Sequence, residues 1–203
     1  MFKKVAADAL GLSDIGTIVK PEDYNKVEAD DYIMHEEDEK IFFLIKSKAD
    51  EYCFTNLALV HVDGTSAMSK KRSLKRYDYH STPISAVSLE TAGSMDLDVE
   101  IKFRMGEEYY SIDVDKKQIE KLKDLYKALI KIASIQRENA QMLRFASESL
   151  ATASNVGIRY AGQAIPEEQF RAINQYAFNW MQQARSNYVR KDFTEVFEKF
   201  INN

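Results

Sequence analysis

Between Asp31 and Val114 the chain breaks into short apolar or alternating runs separated by turn residues, and beyond Asp115 that pattern stops. The cleanest run is Leu97–Phe103: Leu97, Val99, Ile101 and Phe103 point one way, while Asp98, Glu100 and Lys102 point the other. A period of two residues is that of a half-buried strand. Ile41–Ile45, Tyr52–Thr55 and Leu57–Val62 are more continuously apolar, and Asp63-Gly64 closes the third of them. Ser73–Tyr79 alternates more loosely, Ile84–Leu89 follows a proline, and Tyr109–Val114 completes the set after Gly106. About seven short strands at hairpin spacing restrict the fold to a small antiparallel barrel or sandwich.

Asp115 then reads as an N-cap with Gln118 as its reciprocal partner. Ile119, Leu122, Tyr126, Leu129 and Ala133 mark one helical face, widened by Leu125, Ile130 and Ile132, a face suited to closing a barrel end. The helical pattern continues through Leu143, Phe145 and Leu150 to about Ser154, which is too long for that task alone. Residues 155–165, with Gly157 and Gly162, form the expected break. Pro166 restarts a helix, and Asp192 with Glu195 opens a last one carrying Val196, Phe197, Phe200 and Ile201. Ahead of the strands, residues 1–11 read as a short amphipathic helix, and Pro21 with Glu22 and Asp23 begins a second short turn of helix.

Composition narrows the class. The 203 residues are 45% hydrophobic and 30% charged, with 7 Gly and 3 Pro, which argues against long disordered stretches. A net charge of −4 argues against nucleic acid as a partner. The single cysteine, Cys53, excludes an intramolecular disulfide and fits a reducing compartment. No run approaches the ~20 apolar residues of a membrane span, and Asp8 interrupts the only candidate export signal. The expected location is cytoplasmic.

Cys53-Phe-Thr-Asn-Leu-Ala-Leu-Val-His-Val-Asp-Gly64, followed by Ser88-Leu-Glu-Thr-Ala-Gly-Ser-Met-Asp-Leu-Asp98, resembles the bacterial pleckstrin-homology-like (PH-like) family. The resemblance covers roughly residues 32–135. It departs at Leu57-Ala58, where many relatives have Lys-Arg, so no role of that basic pair is carried over. Residues from about 139 to 200 resemble the YvbH-like oligomerisation region. The resemblance implies an α+β fold: a seven-stranded antiparallel PH-like barrel or sandwich capped by a helix, followed by a C-terminal helical hairpin. The implied organisation is an N-terminal helical or irregular segment (1–31), a bacterial PH-like domain (32–138) and a helical oligomerisation extension (139–203). Homo-oligomers and no enzymatic activity are implied with it. Thr55-Asn56 suits a tight turn, Gly93 a connection with special backbone geometry, and Asp96 and Asp98 local bonds to backbone amides.

Catalytic and metal chemistry find little footing. His35, His61 and His80 lack ligand spacing, and His61, between Val60 and Val62, reads as a surface or core-edge histidine. Cys53, between Tyr52 and Phe54, reads as an inert buried thiol. Neither a phosphate loop nor a nucleophile elbow occurs, so no cofactor, metal or catalytic residue is expected.

Two surfaces remain. Lys70, Lys71, Arg72, Lys75 and Arg76 form a basic run that suits an anionic phospholipid or anionic protein, or else a charged edge strand protected against pairing. The acidic stretch Glu22–Glu39, with nine acidic residues against Lys26, is a match for that run on a neighbouring copy. In the tail, Phe170, Ile173, Ala177, Phe178, Trp180, Met181 and Tyr188 form the expected oligomer interface. Phe178 and Trp180 lie about 200° apart on a helix, so two faces carry apolar weight. The favoured function is a non-catalytic scaffold that self-assembles through its tail. Peripheral lipid binding is the alternative.

Overall fold

A computed structural model describes residues 15–64, 72–91, 97–160 and 167–201. The strands are β1 (Thr17–Ile18), β2 (Ile41–Lys46), β3 (Glu51–Thr55), β4 (Ala58–Gly64), β5 (Arg72–Asp78), β6 (Ile84–Glu90), β7 (Asp98–Met105) and β8 (Glu108–Asp115). They form a five-stranded sheet in the order β1-β2-β3-β4-β5 and a three-stranded sheet β6-β7-β8, antiparallel throughout. The expected seven strands are β2 to β8. The two-residue β1 has no alternating pattern of its own to announce it.

β1 joins the sheets at one corner. Gly16 bridges Val114 in parallel, donating to the Asp113 carbonyl at 2.7 Å and accepting from the Asp115 amide at 3.0 Å. A Cβ on Gly16 would stand 2.6 Å from Ile45 Cγ2, so only glycine permits this approach.

The continuous apolar runs have a physical reason: β2 to β4 are buried on both faces. On one face Phe54 meets Phe103 of the other sheet edge-on, with ring centroids 6.0 Å apart. On the other, Val27, Ala29 and Ile33 cover Leu44, Cys53, Val60 and Val62. These covering residues come from a chain of 3-10 turns, Pro21–Lys26, Glu28–Tyr32 and His35–Glu37, broken by extended backbone at Val27 and Ile33. The amphipathic helix expected at residues 1–11 lies outside the described residues.

Helix α1 (Ile119–Tyr160) follows a short 3-10 turn, and α2 (Glu167–Tyr188) and α3 (Thr194–Phe200) complete the chain. Asp115 caps as expected, accepting from the Lys117 amide at 2.9 Å. Gln118 does not close the capping box. It turns instead to β1, accepting from the Ile18 amide at 2.7 Å and donating to the Ile18 carbonyl at 3.2 Å. A strand with free backbone groups is the better partner. Leu122, Leu125, Ala128, Leu129, Ile132 and Ala133 are buried, as a barrel-closing helix requires. α1 then runs through Gly157 to Tyr160, past the expected break at 155.

The chain divides into two compact units. Residues 135–190 are one unit. The segment from Lys191 belongs with the barrel. There Phe193, Val196 and Phe197 are buried, and Phe193 meets Tyr79 edge-on with centroids 5.7 Å apart. Asn56 secures the segment twice. Its carbonyl accepts from the Phe193 amide at 2.9 Å, and its side-chain amide donates to the Asp192 carboxylate at 3.0 Å. The pattern of a seven-residue helix announces its apolar face but not what that face covers.

Candidate functional site

The basic run falls on β5, the last strand in the order of the five-stranded sheet among the described residues. Lys70 and Lys71 lie outside the described residues. The other three each face a carboxylate of the same chain. Arg72 Nε lies 3.1 Å from Glu28, Lys75 Nζ 3.6 Å from Asp63, and Arg76 spans Glu39 and Asp78. The acidic stretch therefore does meet the basic strand, but within one chain, through Glu28 and Glu39.

The Glu39 pair is the most deeply set. Its carboxylate, fully buried, accepts two bonds from Arg76 Nη1 at 3.0 and 3.1 Å, one from the Thr55 hydroxyl at 2.6 Å and one from the Met34 amide at 2.9 Å. A buried carboxylate needs this degree of saturation. Thr55 Oγ1 in turn accepts from the Leu57 and Ala58 amides, at 3.1 and 2.9 Å, and so shapes the expected turn. The Thr-Asn pair thus serves the backbone twice, Thr55 by accepting from the amides of its own turn and Asn56 by accepting from the returning C-terminal segment. Gly93 and Asp96 lie outside the described residues.

Cys53 is buried, and loss of hydration, with Glu39, Asp30 and Glu51 nearby, pushes its thiol well above the usual range. A thiol held protonated is a poor nucleophile. His61 sits deeper than a surface or core-edge position. It is 6% exposed, stacked on Tyr52 at 4.4 Å and bonded through Nε2 to Asp50 at 3.2 Å. Among the described residues no three His, Cys, Asp or Glu side chains gather as metal ligands. Nor is any described helix long and apolar enough to cross a membrane.

The other surface is the hairpin of residues 135–190. Trp180 Nε1 donates to the Ala146 carbonyl at 3.3 Å, and the Ser147 hydroxyl lies 3.9 Å from Met181 Sδ, which sets α2 against the second half of α1. Half-buried positions recur at Asn139, Leu143, Ala146 and Leu150 on α1 and at Ala177, Met181 and Tyr188 on α2. These spacings of three and four are those of a narrow antiparallel seam. Of the residues expected at an oligomer interface, Ala177, Met181 and Tyr188 line this seam, whereas Phe170, Ile173, Phe178 and Trp180 are 41–62% exposed. Met142, Phe145 and Tyr176, which the expected interface set does not include, are also exposed. Their signal was the same apolar surplus, unreadable until the seam was located. Ala184 is the one buried side chain among the unit's described residues.

Comparison with known proteins agrees with this architecture. Residues 9–133 match the family model described as the bacterial PH domain, and residues 144–203 match the YvbH-like oligomerisation region. The chain is 58% identical over 204 residues to the protein named "Uncharacterized protein YvbH" of Bacillus subtilis (strain 168), covering both chains fully. It is also similar to a crystal structure of a PH-domain-containing bacterial protein from Exiguobacterium sibiricum 255-15. The identity there is 51% and the TM-score 0.85, over 93% of this chain and all of that one. With barrel, closing helix and hairpin tail all matched in order, this chain belongs to the bacterial PH-domain family, in the form that carries a YvbH-like oligomerisation region.

Proposed function

We propose that this protein is a non-catalytic cytoplasmic scaffold: a PH-like barrel presented on a homo-oligomer that the helical hairpin of residues 135–190 builds. One observation carries the reading. The hairpin buries a single described side chain, Ala184, while exposing Met142, Phe145, Phe170, Ile173, Tyr176, Phe178 and Trp180. Two helices joined by such a thin seam do not bury enough apolar surface to offset their ordering entropy, and burial against other copies supplies the difference. The description of the matching family region, as one of oligomerisation, supports the same reading. Lipid binding through β5 gains no such support, because Arg72, Lys75 and Arg76 already face carboxylates.

Sedimentation velocity on the full chain between about 0.1 and 100 μM, a range that brackets ordinary assembly constants, is the test. A species heavier than the 23.4 kDa protomer is expected. A monomer across the whole range would end the proposal.

A further inference from the structure

The hairpin's exposed apolar residues are not spread evenly around it. At 100° per residue, Ile173, Tyr176 and Trp180 lie roughly 50–110° to one side of the α2 seam, while Arg171, Phe178 and Arg185 lie roughly 70–110° to the other. The four charged residues of α2 are Glu167, Glu168, Arg171 and Arg185. All fall away from the Tyr176 side, and Glu167 and Arg171 pair with each other at 2.6 Å. On α1, Met142 and Phe145 turn from the seam in the same rotational sense as Tyr176. Because the two helices run antiparallel, the same sense on each gives the same face of the hairpin. That face therefore gathers Met142, Phe145, Ile173, Tyr176 and Trp180, each between 41% and 64% exposed, with Gln169, Gln183 and Asn187 beside them on α2 and Glu138 of α1 as the one charged side chain on that side among the hairpin's described residues. Aromatic enrichment and loss of charge mark the core of a protein interface. The opposite face has charge and one aromatic residue, the mark of a rim or a solvated surface.

We infer that the Met142–Phe145–Ile173–Tyr176–Trp180 face is where a second copy of the hairpin packs, and that the Phe178 face is not. This rests on the self-assembly reading and adds which surface performs it. A second copy is the fitting occupant because the face has no charge on α2 to select a charged partner. It also lies in the part of the chain that matches an oligomerisation region.

The experiment compares Tyr176→Glu with Phe178→Glu in the full chain. The two side chains are similarly exposed in the protomer, at 64% and 59%, so neither substitution disturbs the fold more than the other. Circular dichroism checks this. Tyr176→Glu is expected to weaken association by about 30-fold or more, the loss typical of a central interface residue, and Phe178→Glu to leave it within a few-fold. Trp180 is the only tryptophan. Its emission should shift to the red, and become open to iodide quenching, on dilution or with Tyr176→Glu. Loss of assembly with Phe178→Glu alone, or equal loss with both, overturns the choice of face and leaves self-assembly standing. A native chain that is monomeric at every concentration overturns both.

Discussion

The ring of Phe197 lies on that of Phe42, with centroids 5.3 Å apart and planes 16° apart. Phe197 is fully buried, and α3 is thereby part of the barrel's core. Removal of this ring should cost about 3–5 kcal/mol. Urea unfolding of Phe197→Ala, followed through the barrel's tyrosines, checks the magnitude. A chain stopped near Ile135 should be less stable than the full chain for the same reason. If it unfolds at the same urea concentration, α3 is not a working part of the core.

Arg76 and Lys75 are neighbours in sequence with opposite expected effects. Arg76 neutralises the buried Glu39, so Arg76→Ala leaves a buried charge unpaired and should cost about 3–5 kcal/mol. Lys75 and Asp63 are a partly exposed pair 3.6 Å apart, and Lys75→Ala should cost no more than about 1 kcal/mol. Thermal unfolding of the two variants side by side separates the cases.

Alkali should destabilise the fold. Burial raises the thiol of Cys53 and the phenols of Tyr24, Tyr52, Tyr79 and Tyr110 above their ordinary values. The unfolded chain releases these protons first, so the stability is fully present below the ordinary thiol and phenol values, about 8.5 and 10. It declines as pH rises past them. Tyrosinate absorbance should show these tyrosines ionising together with unfolding and not before it. In the native state at pH 8, Cys53 should resist thiol reagents.

Ala86 stands at φ +51° in the bulge of β6, between the paired residues Ser85 and Ser88. A left-handed conformation costs an L-residue with a Cβ about 1–2 kcal/mol, only partly offset by glycine's greater freedom when unfolded. Ala86→Gly should therefore stabilise the protein by about 0.5–1 kcal/mol, and Ala86→Val should destabilise it. A lower melting temperature for the glycine variant would contradict the strain.

His61 is held by shape more than by hydrogen bonding. Its ring stacks on Tyr52 and meets Tyr110 edge-on at 5.5 Å, while its buried Nδ1 has no hydrogen-bond partner among the described residues. His61→Phe keeps the packing and removes the unsatisfied atom, and the Asp50 carboxylate that loses the Nε2 bond is part-exposed and open to water, so the variant should lie within about 1 kcal/mol of the native protein. His61→Ala should cost about 3 kcal/mol, because it leaves a ring-sized cavity. Chemical denaturation of both variants decides between packing and polarity at this position.

The alternation of Leu97–Phe103, the apolar runs at Ile41 and Leu57 and the helical period after Asp115 determined the strands, the closing helix and the presence of a tail, because side-chain periodicity is a local property of the backbone. The two motifs around Thr55 and Glu90 were enough to identify the barrel. Tertiary structure alone decided what each surplus face covers. Glu28 and Glu39 lie far from Arg72 and Arg76 in sequence, and charge composition does not say whether a matching carboxylate belongs to the same chain or to another. The last helix reads the same whether it extends the hairpin or returns to Phe42. On α2, periodicity found apolar weight on two sides, but only the seam at Ala177, Met181 and Ala184 showed which aromatic residues remain outside it. Long-range pairing depends on which loops close and what they bring together, and that information is spread over the whole chain.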